Sequence, residues 1–347
     1  MDLRSLSLAI TLLFVACTDA YGGDGARWNK YKSVFLTGDG RVVDYFQDKV
    51  SHSEGQGYGM WLSVVNDDRA AFELIWQWTK SNLQIRSDSL FAWQWGKRPN
   101  NEWKVIDYNN ATDGDVLIAY ALLLARDKWQ ATGYRDEAIK IIKDLRNRVS
   151  IVWQGRTFLL PGYSGFTRDD GLLLNPSYLI VPAFRAFSQI DQRDFWEKII
   201  RDGEFLIDHS LRGIWLLPAD WVLAARDSFT PYHGKDPYFG YNAVRLLLYL
   251  NDDKAIQYPK GVTRLLEQYQ RTGLLPLWVD LEKDSLSLRS APAGYYALYA
   301  LAAKRLGNVP LHDRLMLEAN RKVDEEQNAY YSYTLFLLSI AAGERVP

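Results

Sequence analysis

From about residue 26 onward, apolar positions recur at helical spacing, and the alternation of a half-buried strand is scarce. Two kinds of segment take turns. One kind is amphipathic and charged: 26–36, 67–83, 134–149, 192–209, 253–270 and 310–323. Each predicts a helix with one wet face. The other kind is apolar or small on most sides: 55–65, 114–125, 176–190, 242–250, 291–306 and 329–342. Those predict buried helices. Six of one kind alternating with six of the other predict an all-α fold of two concentric rings, an (α/α)6 barrel of six inner and six outer helices. No internal repeat is visible, and no linker rich in Pro, Gly or Ser divides the chain. Residues 21–347 are therefore expected to form a single domain.

The drier segments share a second property, because each opens with a polar or aromatic cluster. The clusters are Ser53-Glu54-Gly55-Gln56-Gly57-Tyr58, Thr112-Asp113-Gly114-Asp115, Asn175-Pro176-Ser177-Tyr178, Gly240-Tyr241-Asn242-Ala243-Val244-Arg245, Ser290-Ala291-Pro292-Ala293-Gly294-Tyr295-Tyr296 and Asn328-Ala329-Tyr330-Tyr331-Ser332-Tyr333. In a ring of parallel inner helices these starts fall at one end, where free N–H groups and positive dipole ends line a shared cleft. Capping alone accounts for residues such as Thr112 or Asn175. It does not account for the Tyr and Gly that accompany them.

Composition narrows the partners. Hydrophobic residues make up 48% of the 347, enough for a substantial core. The 41 basic and 42 acidic residues nearly cancel, so no basic excess points to nucleic acid. Aromatic residues reach 14%, with 13 Trp, 21 Tyr and 14 Phe. Flat rings suit the C–H faces of sugars, although they suit a helical core equally well. Cys17 is the sole cysteine, and His52, His209, His233 and His312 lack ligand spacing. No disulfide, metal or other cofactor is expected.

At the N-terminus, Arg4 precedes the apolar run 6–16, with small residues at Thr18 and Ala20. That run is too short to span a bilayer and reads as a secretory signal peptide, residues 1–20, cut near Ala20. An alternative is a lipoprotein signal ending before Cys17, since Phe14-Val15-Ala16-Cys17 imperfectly matches the sequence ahead of a lipidated cysteine. Either reading implies export to the periplasm or beyond. No later stretch is long and apolar enough to be a transmembrane segment, and a monomer is expected.

Cutting a glycosidic bond requires one group to protonate the leaving oxygen and another to activate water or attack the sugar. Glu54 is the candidate acid. Three glycines flank it, in Glu54-Gly55-Gln56-Gly57-Tyr58-Gly59, and each costs a helix about 1 kcal/mol relative to Ala. Close approach of backbone or substrate would justify them. The plainer reading is an acid that favours the positive helix end. Asp113 and Asp115 stand two apart and cannot share a helix face. Asp113 is expected to point into the cleft while Asp115 caps or braces the turn.

The segments Ser53-Glu54-Gly55-Gln56-Gly57-Tyr58-Gly59-Met60 and Ala111-Thr112-Asp113-Gly114-Asp115 resemble the two signatures of glycoside hydrolase family eight. Supporting matches are Phe91-Ala92-Trp93-Gln94-Trp95-Gly96, Leu159-Leu160-Pro161-Gly162, Asn175-Pro176-Ser177-Tyr178, Asp220-Trp221 and Tyr330-Tyr331-Ser332-Tyr333, spanning nearly the whole chain beyond residue 43. The resemblance implies an (α/α)6 barrel with an open cleft and an inverting, cofactor-free endoglucanase acting on a β-1,4-glucan such as cellulose. Relatives in that family act on lichenan, chitosan or xylan. It implies that Glu54 is the general acid and that Asp113 binds the distorted sugar and helps hold the attacking water. Tyr58, Trp93, Trp95, Tyr178, Trp221, Arg245, Tyr330 and Tyr333 become candidate sugar contacts, with core packing as the rival role.

One position departs from the cellulase pattern. The resemblance implies Asp as general base in Tyr-Asp-Ala at the fourth inner helix, yet this chain reads Tyr241-Asn242-Ala243-Val244-Arg245. A carboxamide cannot accept a proton near neutral pH. Three explanations stand: another carboxylate (Asp227, Asp236, Asp169 or Asp170) is the base, catalysis persists at reduced rate with Asp113 alone, or the protein is a silent polysaccharide binder.

Overall fold

The computed structural model describes residues 24–250 and 256–344; the expected signal peptide, including Cys17, lies outside the described residues. Among the described residues, twelve α-helices carry the fold. They are α1 Asp24–Phe35, α2 Ser53–Val65, α3 Arg69–Asn82, α4 Thr112–Trp129, α5 Gly133–Asp144, α6 Val181–Ser188, α7 Arg193–His209, α8 Leu246–Tyr249, α9 Lys260–Thr272, α10 Ala293–Arg305, α11 Val309–Glu325 and α12 Tyr330–Gly343. The even-numbered helices form the inner ring. α2 packs on α4, α4 on α6, α8 on α10, α10 on α12, and α12 returns to α2. Between α6 and α8 the contact is made by the 3₁₀ turns ahead of them, Pro176–Tyr178 and Ala243–Arg245. The odd-numbered helices back this ring: α1 lies on α12, α3 on α2, α5 on α4, α7 on α6 and α11 on α10. On α9, Tyr269 meets Tyr296 of α10 edge-on, ring centroids 5.8 Å apart. The expected all-α, (α/α)6 architecture is the one observed.

Burial explains why the two segment types sort this way. On α4, Leu117, Ile118 and Leu122 are fully buried, and a side chain of this kind contributes about 1.5–3 kcal/mol when it leaves water. With apolar residues on every side, α4 is stable only in the middle. In α3, by contrast, Phe72, Ile75 and Trp76 face the core. Asp68 caps α3 by accepting the Ala71 amide at 3.0 Å, and also accepts from Trp28 Nε1 at 2.9 Å and Lys32 Nζ at 2.6 Å. One carboxylate thus caps a helix and ties α1 to it.

Two inner segments depart from continuous helices. Residues 176–190 break at Leu179 and Ile180, whose ψ angles of 75° and 76° are not helical. Pro182 lacks the N–H that would extend the 3₁₀ turn into α6, so a fresh helix starts around it. Residues 242–250 form a 3₁₀ turn and a single α-turn, ending where Leu250 becomes extended.

Strands are more numerous than the pattern suggested. Among the described residues there are twelve of two to five residues: β1 Ser51–His52, β2 Gln94–Lys97, β3 Trp103–Asp107, β4 Ser150–Trp153, β5 Arg156–Leu159, β6 Thr167–Arg168, β7 Gly171–Leu174, β8 Val222–Ala224, β9 Phe229–Pro231, β10 Tyr238–Phe239, β11 Val279–Asp280 and β12 Ser285–Leu286. They form antiparallel sheets β1-β2-β3, β4-β5, β6-β7-β8-β9 and β10-β11-β12. Strands this short carry too few alternations to be read. Their placement matters more, because β1, β3, β7 and β10 lead into α2, α4, α6 and α8. Small sheets thereby pin the entry to four inner helices.

Candidate active site

A cavity of about 450 Å³ opens at the N-terminal end of the inner ring. Its wall includes Glu54 from α2, Asp113 from α4, Tyr178 ahead of α6, Asn242 and Arg245 ahead of α8, and Tyr331 from α12. Five of the six inner-helix starts therefore converge.

Glu54 lies in the first turn of α2 and keeps 18% of its side chain exposed. Burial raises its carboxyl above the ordinary range, Arg245 opposes this, and the neighbouring Asp113 charge adds to it. Proton-donor work near neutral pH calls for that direction of shift. Arg245, 3% exposed, bridges the acids: Nη1 donates to Glu54 Oε1 and to Asp113 Oδ2, the latter at 2.9 Å. Oxygens that share one nitrogen lie no more than about 6 Å apart. Nη2 donates to Ser177 Oγ at 2.8 Å and to Asn242 Oδ1 at 3.0 Å. That oxygen also accepts from Asn175 Nδ2 at 3.1 Å. Asn242 therefore spends its acceptor on two donors and leaves Nδ2 toward the cavity.

Two further carboxylates hold the walls. Asp115 is fully buried and accepts from the Phe91 amide at 2.8 Å and from Asn110 Nδ2 at 2.7 Å, so it braces the turn as expected. Burial pushes its pKa up to about 8, against the pull of those two bonds. Asp220 Oδ1 gathers the amides of Gly240 (3.0 Å), Asn242 (3.1 Å) and Ala243 (2.7 Å), fixing the turn that carries Asn242. Burial raises it to about 6, while the three amide bonds and Arg245 oppose the rise. Its match to the family pattern pointed here, but its role as a cradle was not apparent from sequence.

The glycines around Glu54 have a packing reason. A Cβ on Gly57 would come within 2.7 Å of Leu117 Cβ, and one on Gly114 within 2.7 Å of the Glu54 amide nitrogen. The close approach is thus between α2 and α4 themselves, and it sets the distance between the two acids.

Trp93 joins Glu54, Asp113, Tyr178, Asn242 and Arg245 on the cavity wall. The other sequence candidates lie outside this lining. Tyr58 is fully buried, its hydroxyl 2.6 Å from that of Tyr249. Tyr330 is 1% exposed against Tyr31 and Phe35, and the Tyr333 hydroxyl donates to the Arg27 carbonyl at 3.3 Å. Helical phase sets Tyr330 and Tyr333 against α1, while Tyr331 faces the cavity. Trp95 stacks on Trp103 at 5.3 Å beneath the Arg41 guanidinium, and Trp221 stacks on Phe166 at 6.1 Å. The proposed replacement bases Asp169, Asp170, Asp227 and Asp236 are exposed and do not line the cavity.

Sequence reasoning missed Asp44, Phe46, Gln47 and His52 as wall residues, while Ser53 belongs to the first of the clusters expected to line the cleft. A neighbouring cavity of about 420 Å³ shares Phe46, Tyr241 and Tyr331 with the first, making a longer groove. Phe46 and Tyr241 are 72% and 54% exposed, so their rings are free to meet a ligand. Among the described residues no group of three or more His, Cys, Asp or Glu is arranged to hold a metal ion, and no helix is long and apolar enough to cross a membrane.

Comparison with known proteins agrees with this geometry. The chain is 39% identical over 252 residues to an endoglucanase of Cellulomonas uda, covering 72% of this chain and 69% of that one. It is 35% identical to a probable endoglucanase of Novacetimonas hansenii, covering 78% and 80%. The solved endo-beta-1,4-glucanase of Acetobacter xylinum superposes with a TM-score of 0.79 at 32% identity, over 92% of this chain and 97% of that one. The Klebsiella pneumoniae endoglucanase, a family 8 glycosyl hydrolase, gives 0.78 at 32% identity, over 92% and 99%. The model of glycosyl hydrolases family 8 matches residues 4–345. With a cavity that joins the acids of both signature segments at the mouth of an (α/α)6 barrel, the chain belongs to glycosyl hydrolases family 8 and is a glycosidase.

Proposed function

We propose that this hydrolase cuts internal β-1,4 linkages of a glucan such as cellulose with inversion, and that it works outside the cytoplasm after removal of its leader. The carrying observation is the Glu54–Arg245–Asp113 bridge on the cavity floor. Glu54 protonates the departing oxygen. Asp113, Tyr178 and Asn242 surround the water and the distorted sugar, and the groove past Phe46, Tyr241 and Tyr331 suits a polymer that passes through rather than ends there. The endoglucanase names of the relatives support the same substrate class.

Asn242 orients the water but cannot deprotonate it. Asp113 takes that proton instead, with its Oδ2 already accepting from Arg245 Nη1 at 2.9 Å. Turnover therefore runs below that of a homologue with a carboxylate at this position. An inverting pair needs about 6.5–9.5 Å to admit water, so a bound sugar must part Glu54 from Asp113 and break one arm of the Arg245 bridge.

The test is Glu54→Gln, assayed by reducing-end release from cellulose and soluble cello-oligosaccharides. Release is expected to fall at least about 100-fold with binding retained, the lower end of the roughly 10²–10⁴-fold that a general acid supplies. Proton NMR of the first product should show the α anomer. Unchanged release, or a β anomer from the parent, overturns the reading.

A further inference from the structure

His52 is a buried imidazole on the cavity wall for which the reaction above has no task. It ends β1 and caps α2, its Nδ1 accepting the Gly55 amide at 3.0 Å. A ring nitrogen that accepts carries no proton, so in this state the proton sits on Nε2. Nε2 faces Asp44 Oδ2 at 3.7 Å, and Nδ1 lies 3.8 Å from Glu54 Oε2. The other Glu54 oxygen, Oε1, takes the Arg245 hydrogen bond. The acid's two oxygens are thus divided between a guanidinium that never releases a proton and an imidazole that can.

We propose that His52, braced by Asp44, is a positioning residue that returns a proton to Glu54 Oε2 after each cleavage. The proposal rests on Glu54 being the general acid. Cleavage leaves Glu54 as a carboxylate. Nδ1 lets go of the Gly55 amide and takes a proton from cavity water, giving an imidazolium whose Nε2–H points to Asp44. The Nδ1–H bond then breaks, its electron pair stays on nitrogen, and an Oε2–H bond forms. Nδ1 is free to accept the Gly55 amide again. Asp113 passes the attacking water's proton on to solvent in each cycle, so the proton count closes without another reactant.

The surroundings favour the charged ring. Asp44 approaches from the segment ahead of β1, Glu54 from α2 and Asp113 from α4, while the Tyr330 ring of α12 packs edge-on at 5.7 Å. Burial lowers the imidazole pKa, but the nearby Asp44 carboxylate and the charges of Glu54 and Asp113 raise it overall. Asp44 is itself held in place, accepting the Phe46 amide at 3.0 Å and Gln47 Nε2 at 2.8 Å. The two His52 gaps exceed hydrogen-bond length by under about 1 Å, which substrate binding commonly closes.

His52→Asn separates this role from capping, since Asn is a good N-cap that does not titrate near neutral pH. On cellopentaose its kcat is expected to fall about tenfold with KM within twofold, and added imidazole should restore it. On a 2,4-dinitrophenyl cello-oligoside, whose leaving group departs without protonation, kcat should match the parent. Asp44→Asn should give the same pattern in weaker form. Equal losses on both substrates, no loss on cellopentaose, or a loss that imidazole leaves unchanged would each overturn the proposal. Glu54→Gln on the same pair of substrates separates the two ideas. Full cellopentaose activity in that variant removes the acid assignment and this proposal with it. A variant inactive on cellopentaose but active on the aryl glycoside, beside a parent-like His52→Asn, removes this proposal alone.

Discussion

Asn242→Asp replaces one atom at the place where a base is missing. The Asn242 Oδ1 accepts from Arg245 Nη2 at 3.0 Å and from Asn175 Nδ2 at 3.1 Å, and an aspartate in the same rotamer keeps both bonds. The amide nitrogen, which can only donate, becomes an oxygen that can take the water's proton. A positioned general base is worth about 10²–10⁴-fold. The Arg245 charge at 3.0 Å weakens the new carboxylate as a base, which moves the gain toward the lower end. A rise in kcat of at least about tenfold, or about 1.4 kcal/mol off the barrier, is therefore expected. A second consequence follows from Arg245 itself, whose Nη1 now serves Glu54 and Asp113. A third carboxylate beside the same cation dilutes its hold on Glu54 and raises the acid's pKa, so the alkaline limb of the pH–rate profile should move to higher pH. Initial rates on cello-oligosaccharides across pH 4–9 measure both effects. A fall in kcat, or an unchanged kcat with an unmoved alkaline limb, refutes the view that Asn242 is a vacant base position.

Three further outcomes check the supporting structure. Asp220→Ala leaves the amides of Gly240, Asn242 and Ala243 without an acceptor, at about 1–3 kcal/mol for each one still buried, so denaturant unfolding should show a loss of several kcal/mol while Asp220→Asn loses much less. Gly114→Ala drives a methyl group against Ser53 Oγ and the Glu54 amide nitrogen; it should cost about 1–3 kcal/mol and lower kcat more than it raises KM. Asp115 is raised to about 8 in the fold, so between the unfolded carboxyl's pKa and pH 8 its stabilising contribution falls as pH rises. The Tm deficit of Asp115→Asn should accordingly be largest near pH 4–5 and shrink toward pH 8, and a deficit that grows with pH contradicts the assignment.

The residues that could be read from sequence are those whose environment is set by their own segment. A helix buried on all sides, such as α4, must be apolar all round, and one with a wet face, such as α3, must be amphipathic, so the ring order followed from pattern alone. Glu54 and Asp113 were visible because glycines beside them made no sense for an isolated helix, and the clash of a Cβ at Gly57 with Leu117 supplies the reason. Asp115 was visible as a brace for the same local cause. What stayed hidden depends on partners far away in the chain. Whether Tyr330 or Tyr331 faces the cavity is decided by a rotation of about 100° between adjacent positions on α12, and adjacent tyrosines carry no signal of that phase. Asp220 reads as one acid among many until the turn at 240–243 folds over it. His52 looked like one of four scattered histidines because, although Glu54 stands two residues on, the approach of Asp44 and the Tyr330 ring is set only when the chain folds. The same dependence bears on the missing base. Asn242 is held by Asn175 and Arg245, both donors, in a contact that suits a carboxylate at least as well as a carboxamide. Nothing in that hydrogen-bonding requires the amide, so the reason for it must be sought on its cavity side, in what Nδ2 gives to substrate or water.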